Sequence, residues 1–170
     1  SGECGLQDYY MKVGKYESSV REDKLHKRKR TVIGPHVVLD QERCVLCTRC
    51  IRFCDEVAGK HQLMLRERGG STSIDVFEGK ELDNPYSLCT VDLCPVGALT
   101  SSDFRFKKRV WFLSSTPSVC TGCATGCNVW LDHSDGIAYR MRPRDNEAVN
   151  QCWACDAGRM TYKDIHADSR

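Results

Sequence analysis

Long hydrophobic runs are missing from this chain of 170 residues. A helix that spans a bilayer needs about 20 apolar residues, and no such run occurs, so we expect no direct membrane span. The first ten residues are polar and mixed in charge, unlike a secretory signal. The formal net charge of +2 is too small for nucleic acid to be the main partner. We therefore expect neither a secreted protein nor a nucleic-acid-binding one.

Motifs for nucleotides and for nucleophilic catalysis are also absent. The chain has no GxGxxG run, no P-loop and no nucleophile elbow. Its five histidines lack the neighbours of a catalytic base, and we expect His36 to pack or hydrogen-bond rather than to ligate a metal. We therefore predict that this chain binds neither NAD nor flavin and performs no substrate chemistry of its own.

Cysteine, in contrast, is abundant, with 12 residues in the chain. The first set has the spacing Cys44-x2-Cys47-x2-Cys50 and a remote Cys94 followed by Pro95. Three closely spaced thiolates and a distant Cys-Pro are typical of a ferredoxin-type [4Fe–4S] cluster. Zinc also takes four thiolates, but its ligands come as two separated pairs. The spacing predicts an iron–sulfur cluster, with a zinc-stapled structural module as the alternative.

A second set follows the spacing Cys120-x2-Cys123-x3-Cys127. Two remote cysteines, Cys152 and Cys155, come later, and spacing alone leaves open which of them is the fourth ligand. Glycines between the first three cysteines suit a loop that folds tightly over an inorganic core. We predict a second [4Fe–4S] cluster here.

Three cysteines stand outside these sets. Cys54 and Cys89 are interpreted as small buried hydrophobic residues. Cys4, considered on the residues alone, is a spare thiol. For the first set we expect backbone N–H groups between Val45 and Thr48 to donate hydrogen bonds to sulfur, and nearby arginines to stabilise the reduced cluster.

Secondary-structure patterns indicate short elements of both kinds, an α+β chain. The charged stretch 21–30 is interpreted as part of a linker, and Pro117 as a boundary. Apolar periodicity predicts a helix after Cys50 that stops at Gly59, and other helices near 9–11, from 84 and over 155–165. Alternating or apolar runs predict strands at 36–39, 63–65, 74–77, 110–113, 128–132 and 137–141, the last two forming a hairpin.

Four long segments of the chain resemble the large iron–sulfur subunit of bacterial NADH–quinone oxidoreductase, respiratory complex I. They are GECGLQDYYMKVGKY, GPHVVLDQERCVLCTRCIRFCDEVAG, LDNPYSLCTVDLCPVGALTSSDFRFKKRVWFL and STPSVCTGCATGCNVWLDHSDGIAYRMRPRDNEAVNQCWACDAGRM. Because the sequence begins at Ser1 inside such a motif, we expect an internal fragment of a longer subunit.

The resemblance implies a ferredoxin-like 4Fe–4S domain followed by the small antiparallel β 4Fe–4S module that opens molybdopterin oxidoreductases. The implied division is the end of a segment ligated by one His and three Cys (1–20), a linker (21–34), the ferredoxin-like domain (35–113) and the molybdopterin-type module (114–170). The active-site lysine of molybdopterin enzymes falls on Ala157, which argues against a molybdenum site.

The resemblance also assigns ligands. It implies Cys44, Cys47, Cys50 and Cys94 for the first cluster and Cys120, Cys123, Cys127 and Cys155 for the second. Within Cys-Asp-x-Gly-Arg, Cys155 is the ligand and Cys152 is not. Cys4 matches one ligand of a third cluster, whose other ligands would precede Ser1. The implied cofactors are two [4Fe–4S] clusters and a share in a third.

In function, the resemblance implies one-electron transfer from NADH and flavin toward quinone. The implied partners are the other peripheral-arm subunits of complex I, including the NADH/flavin subunit and the cluster-bearing subunits toward quinone. The implied location is the cytoplasmic face of the bacterial inner membrane, peripheral, with the fragment itself soluble. The alternatives are an iron–sulfur segment of a hydrogenase or of an NAD-dependent formate dehydrogenase. Those enzymes usually carry two ferredoxin triples, whereas this chain has one.

Overall fold

A computed structural model describes residues 2–168 of the chain. Short antiparallel sheets and short helices alternate along it, which confirms the predicted α+β class. The α-helices within the described range are α1 (Gly5–Val13), α2 (Arg49–Arg52), α3 (Cys89–Leu93) and α4 (Asp156–Met160). The strands are β1 (Thr31–Val32), β2 (Val37–Leu39), β3 (Leu63–Arg66), β4 (Ser73–Val76), β5 (Leu99–Ser101), β6 (Ser114–Val119), β7 (Asn128–Ser134) and β8 (Ile137–Pro143). None of the helices in residues 2–168 is long and apolar enough to cross a bilayer.

The first sheet has the antiparallel order β1-β2-β5, with Val38 opposite Thr100. All three residues of β2 are buried, so both faces of this strand are covered by protein. Strand β1 lies within the segment 21–34 that the sequence predicted as linker, and Ile33 after it is 2% exposed. This sheet and helices α2 and α3 enclose the larger hydrophobic core, which includes Leu39, Phe53, Leu63, Ile74, Leu82, Leu88 and Leu99.

Helix α2 continues into a π-helical turn, Phe53–Val57. The wider turn is closed by a hydrogen bond of 2.9 Å from the Ala58 N–H to the Phe53 carbonyl. Gly59 follows with φ +62°, a left-handed conformation that suits glycine and ends the helix where the sequence predicted. The π-turn begins three residues after Cys50, and such turns are frequent at functional sites.

Two hairpins contain strands that the sequence predicted, and the second of them was itself predicted as a hairpin. Strands β3 and β4 pair antiparallel with Leu65 opposite Ile74. Strands β7 and β8 are joined by a two-residue turn in which Asp135 and Gly136 both have positive φ. A two-residue turn of this conformation matches the right-handed twist of the paired strands. Because the turn has only two residues, His133 belongs to strand β7.

The predictions for 110–113 and Pro117 are wrong. Val110–Phe112 is a 3-10 helix, and Trp111 and Phe112 are both more than half exposed, so no buried face favours a strand there. Strand β6 begins at Ser114 and contains Pro117, which lies opposite Trp130. Proline is tolerated because β6 is an edge strand that pairs on one side only.

A buried carboxylate ties the third sheet together. Asp132 is 1% exposed and accepts hydrogen bonds from Arg140, Arg142 and Ser115. Burial disfavours its ionised form, but the hydrogen bonds from Arg142, Ser115 and Arg140 outweigh burial and lower the pKa of Asp132 below its ordinary value. The charge therefore stays on this carboxylate at neutral pH and holds β6, β7 and β8 in register.

Candidate iron–sulfur sites

The four cysteines of the first set line one cavity. Cys44 and Cys47 lie in the loop between β2 and α2, Cys50 lies in α2, and Cys94 ends α3. The structure thus brings together the four residues that the sequence placed on one cluster. Apolar side chains complete the wall of the cavity: Leu39, Val45, Ile74, Val96, Ala98 and Leu99.

The loop between these cysteines is bent at two left-handed residues. Leu46 and Thr48, which flank Cys47, have φ of +54° and +61°. Non-glycine residues in this region each cost on the order of 1 kcal/mol or more, so the loop keeps this shape only where something offsets the strain. The bend leaves Cys47 exposed while Cys44 and Cys50 are partly buried.

Backbone N–H groups point at the sulfur atoms of this set. Ala98 and Leu99 donate to Cys94 Sγ at 3.2 and 3.5 Å, and the Leu46 N–H hydrogen-bonds Cys44. The Leu46 bond falls in the range 45–48 that we predicted. The two donors after Cys94 were missed, although Gly97, with φ +59°, marks the tight turn that aims them. Hydrogen bonds of this kind stabilise negative sulfur.

Two thiols of the first set, those of Cys44 and Cys50, resist ionisation without a metal. Burial raises the pKa of the Cys50 thiol to about 12, and the neighbouring Cys44 adds to the shift. Burial also raises the pKa of Cys44, with smaller contributions from Cys94 and Cys47. Cys44 and Cys50, whose pKa values are raised in this way, need a cationic centre to become thiolates. The donor set therefore fits a metal cluster.

The second set gathers around the start of α4. Cys123, Cys127 and Cys155 line one cavity. Cys120 is buried beside it, and its N–H donates to the Cys127 carbonyl at 2.8 Å. Cys152 is exposed and lies outside the lining of this cavity. The structure thus brings together the four residues that the resemblance implied and leaves Cys152 apart.

At Gly158 the backbone lies very close to the sulfur atoms of Cys120 and Cys155. A Cβ at this position would lie 2.9 Å from Cys120 Sγ and 3.2 Å from Cys155 Sγ. Its N–H donates to Cys155 Sγ at 3.3 Å, and the Gly122 N–H donates to Cys120 Sγ at 3.4 Å. The backbone therefore forms a cradle that a side chain would fill, with donors directed at sulfur, which fits a bound cluster.

The exposed and buried thiols of the second set differ in acidity. A hydrogen bond from the Thr125 side chain lowers the pKa of Cys123. Burial, followed by the nearby Cys120, raises the pKa of Cys127. Thr125 is a contributor that the spacing argument missed, because only the folded loop places its hydroxyl beside Cys123.

Single-ion coordination is not supported by the same geometry. Within residues 2–168, no group of three or more His, Cys, Asp or Glu side chains is arranged to hold one metal ion. Zinc needs four ligand atoms about 2.0–2.3 Å from one centre, whereas the thiolates of a cubane each meet a different iron.

The remaining cysteines take other positions. Cys54 and Cys89 are buried at 0% and 1% exposure, as expected for small hydrophobic residues, and they line neither cavity. Cys4 lies apart from both sets, and its sulfur accepts a hydrogen bond from the Gln7 N–H at 3.3 Å. The Gly5 N–H donates to the Pro95 carbonyl at 3.0 Å, so Cys4 sits beside the turn that follows Cys94.

Two families match consecutive parts of the chain. Residues 34–100 match the family described as NADH-quinone oxidoreductase subunit 3, ferredoxin-like domain. Residues 113–167 match the molybdopterin oxidoreductase Fe4S4 domain. Each family covers one of the two cysteine sets, so the boundary between them falls just before strand β6.

Three relatives match almost the whole chain. An NADH-quinone oxidoreductase subunit from Streptomyces coelicolor is 41% identical over 95% of this chain and 19% of its own length. NADH-quinone oxidoreductase subunit 3 of Thermus thermophilus is 36% identical over 95% of this chain and 22% of its own length. The NADH-ubiquinone oxidoreductase 75 kDa subunit of Reclinomonas americana is 41% identical over 95% of this chain and 23% of its own length.

A solved structure gives a further comparison. An NAD+-reducing [NiFe]-hydrogenase in the H2-reduced state has a chain that is 26% identical, with a TM-score of 0.53. The likeness covers 65% of this chain and 48% of that one.

The fold and the two cysteine sites define a chain with two consecutive iron–sulfur domains, one ferredoxin-like and one of the molybdopterin oxidoreductase type. Over 95% of its length the chain is similar to NADH-quinone oxidoreductase subunit 3 and to the 75 kDa subunit of NADH-ubiquinone oxidoreductase. It spans about a fifth of the length of the curated relatives it matches.

Proposed function

We propose that this chain carries single electrons through two [4Fe–4S] clusters. Cys44, Cys47, Cys50 and Cys94 hold the first cluster, and Cys120, Cys123, Cys127 and Cys155 hold the second. The observation that carries the proposal is that each set of four lies at one site, with backbone donors directed at its sulfur atoms. Cys4 supplies one ligand to a third cluster.

A bound [4Fe–4S] cluster supplies reversible one-electron chemistry, and the protein sets its potential through hydrogen bonds, burial and charge. Ala98 and Leu99 stabilise negative charge on Cys94, which favours the reduced state. The apolar wall around Cys50 excludes water and has the opposite effect on a negative centre. Cys47 and Cys123 are exposed, so each site has one edge near solvent or a neighbouring subunit.

The wider assignment follows the relatives' names. We propose that the chain is part of an NADH–quinone oxidoreductase and passes electrons from NADH and flavin toward quinone. Its partners are the NADH/flavin subunit and the cluster-bearing subunits on the quinone side, at the cytoplasmic face of the bacterial inner membrane. The domains extend over residues 35–113 and 114–170. Identities of 36% and 41% over 95% of the chain support this assignment.

A hydrogenase segment is the second candidate, because one structural relative is an NAD+-reducing [NiFe]-hydrogenase. In both cases this chain itself transfers electrons, and only the neighbouring subunits differ. The lower identity, 26%, and the smaller coverage, 65% of the chain, make this assignment the weaker one.

Iron and sulfide analysis tests the electron-transfer proposal directly. The chain is purified without oxygen, and its iron, zinc and acid-labile sulfide are measured together with low-temperature EPR after dithionite reduction. Two cubanes require about eight iron and eight sulfide per chain and two reduced-cluster signals. Stoichiometric zinc without a signal would show a structural module instead. Co-purification with a tagged chain distinguishes the two assemblies, because a [NiFe]-hydrogenase brings nickel with it.

A further inference from the structure

Helix α3 is held at its start by a residue of the second cysteine segment. The Asp156 side chain, directly after Cys155, is 4% exposed. Its carboxylate accepts hydrogen bonds from the Ser87 N–H at 2.9 Å, the Ser87 hydroxyl at 2.7 Å and the Leu88 N–H at 2.9 Å. These three donors lie immediately before α3. Asp156 thus caps the turn that leads into α3: it shares the Ser87 N–H with the Asn84 carbonyl and supplies an acceptor to the Leu88 N–H.

The other end of α3 is held by Arg159. This guanidinium is 5% exposed and pairs with Asp92, with Nη1 3.2 Å from Oδ1. It also donates to the Ala154 carbonyl at 3.2 Å and to Cys89 Sγ at 3.5 Å. Asp92 lies in the last turn of α3, two residues before Cys94. Asp156 and Arg159, which follow Cys155 in the sequence, therefore bind the two ends of α3, the helix that ends at Cys94.

Helix α3 depends on these contacts. It has five residues, and an isolated helix of that length is unstable in water. The direction of Cys94 Sγ follows from the end of α3 and from the turn that bonds it to Ala98. A loss at either end of α3 would therefore move a sulfur atom of the first site, although the lost group belongs to the second segment.

We propose that Asp156 and Arg159 are positioning residues for the first cluster: through α3, they set the geometry of Cys94. This inference rests on the proposed function, and it adds that the two sites are mechanically linked. The second segment thereby contributes to electron transfer at the first site in addition to holding its own cluster.

The test uses Asp156→Asn and Arg159→Lys in the cluster-loaded chain. Asp156→Asn keeps the size of the side chain but replaces one acceptor oxygen with a donor facing other donors. Arg159→Lys keeps the charge and loses the two-pronged contact with Asp92. The matched control is Asp164→Asn, at an exposed aspartate of the same domain. EPR signals are assigned to each site with Cys94→Ser and Cys155→Ser.

Both variants should retain the second cluster and shift the g-values and midpoint potential of the first. Release of first-site iron to ferrozine should become about tenfold faster, the change expected on losing a hydrogen bond to a charged group. The control should match the wild type. First-site spectra and release rates that stay at the wild-type values in both variants would overturn the inference.

The Ser87→Ala variant and the iron content of the wild-type chain allow a decision even where Asp156→Asn does not fold. Ser87→Ala removes only the hydroxyl bond to Asp156, and it should give a smaller shift in the same direction even if Asp156→Asn does not fold. A first site unchanged in Ser87→Ala and Arg159→Lys contradicts the linkage. If the wild-type chain itself binds no iron, the proposed function fails, a result independent of any of these substitutions.

Discussion

Arg159 and Asp92 form an ion pair across the two cysteine segments, 67 residues apart in sequence. The arginine side chain is 6% exposed and the aspartate side chain 28%. Removing one partner of a buried pair leaves an uncompensated charge, which costs about 3–5 kcal/mol in measured cases. The pair is therefore a strong constraint on how the two segments meet. It also joins the helix after Cys155 to the helix before Cys94.

Replacing one remote ligand at a time should separate the two clusters. In Cys94→Ser we expect loss of the first reduced-cluster EPR signal and of about four iron per chain. In Cys155→Ser we expect the same loss at the second site, because each hydroxyl is a poorer ligand than a thiolate. Iron analysis and EPR of the two variants measure both effects.

Cys152→Ser is the control for this pair of substitutions. Cys152 is exposed and lies outside the second cavity, so both signals should persist. A variant at Cys152 that loses the second signal, together with a Cys155 variant that keeps it, would reverse our ligand assignment.

Gly158→Ala should damage the second site selectively. The new methyl group would stand 2.9 Å from Cys120 Sγ and 3.2 Å from Cys155 Sγ, closer than carbon and sulfur tolerate, so the sulfur atoms must move. We expect the second EPR signal to broaden or vanish while the first remains. Gly122→Ala serves as the comparison, because its methyl would meet Cys120 Sγ at 3.5 Å, an ordinary contact. Equal behaviour of the two variants would argue against a cradle at Gly158.

Local patterns in the sequence predicted several elements correctly, because each depends on neighbouring residues. The β7–β8 hairpin follows from alternation around Asp135 and Gly136, and the end of the π-helical turn that continues α2 follows from Gly59. Spacing and resemblance also grouped the cysteines into the two sets whose members the structure brings together. These features need no knowledge of where distant segments lie.

Other features depend on pairings between distant segments, and no local pattern reports them. Asp156 and Ser87 are separated by 69 residues, so an acidic residue in the first turn of α4 indicates only an ordinary helix start. Proline is usually excluded from a strand, so the local sequence indicates a boundary at Pro117. The strand β6 tolerates this proline only because it lies at the edge of its sheet, and the sequence does not show that position. In each case the tertiary neighbour, and not the local sequence, decides the role.

Removal of iron should loosen the whole chain. Burial raises the pKa of Cys44 and Cys50, so without metal their thiols are neutral polar groups beside the apolar core. Metal binding and folding are coupled in small domains of this kind. After treatment with chelator and oxidant, we expect the urea midpoint, measured by circular dichroism, to fall. Reconstitution with iron and sulfide should restore it, and an unchanged midpoint in the iron-free chain would show that the fold does not depend on its clusters.

Asp132→Asn should destabilise the third sheet in a pH-dependent manner. The pKa of Asp132 is lowered in the folded chain, so its contribution is complete above the ordinary pKa, about 3.9, and is lost as the pH falls through the folded value. At pH 7 the variant should lose about 3 kcal/mol in free energy of unfolding, as in other broken buried pairs. Urea unfolding from pH 7 to 5 should show a constant difference from wild type, which shrinks only below about pH 4. Asp135→Asn, at an exposed position of the same hairpin, is the control and should change little. A difference that instead grows on acidification would mean that Asp132 is not ionised in the folded chain.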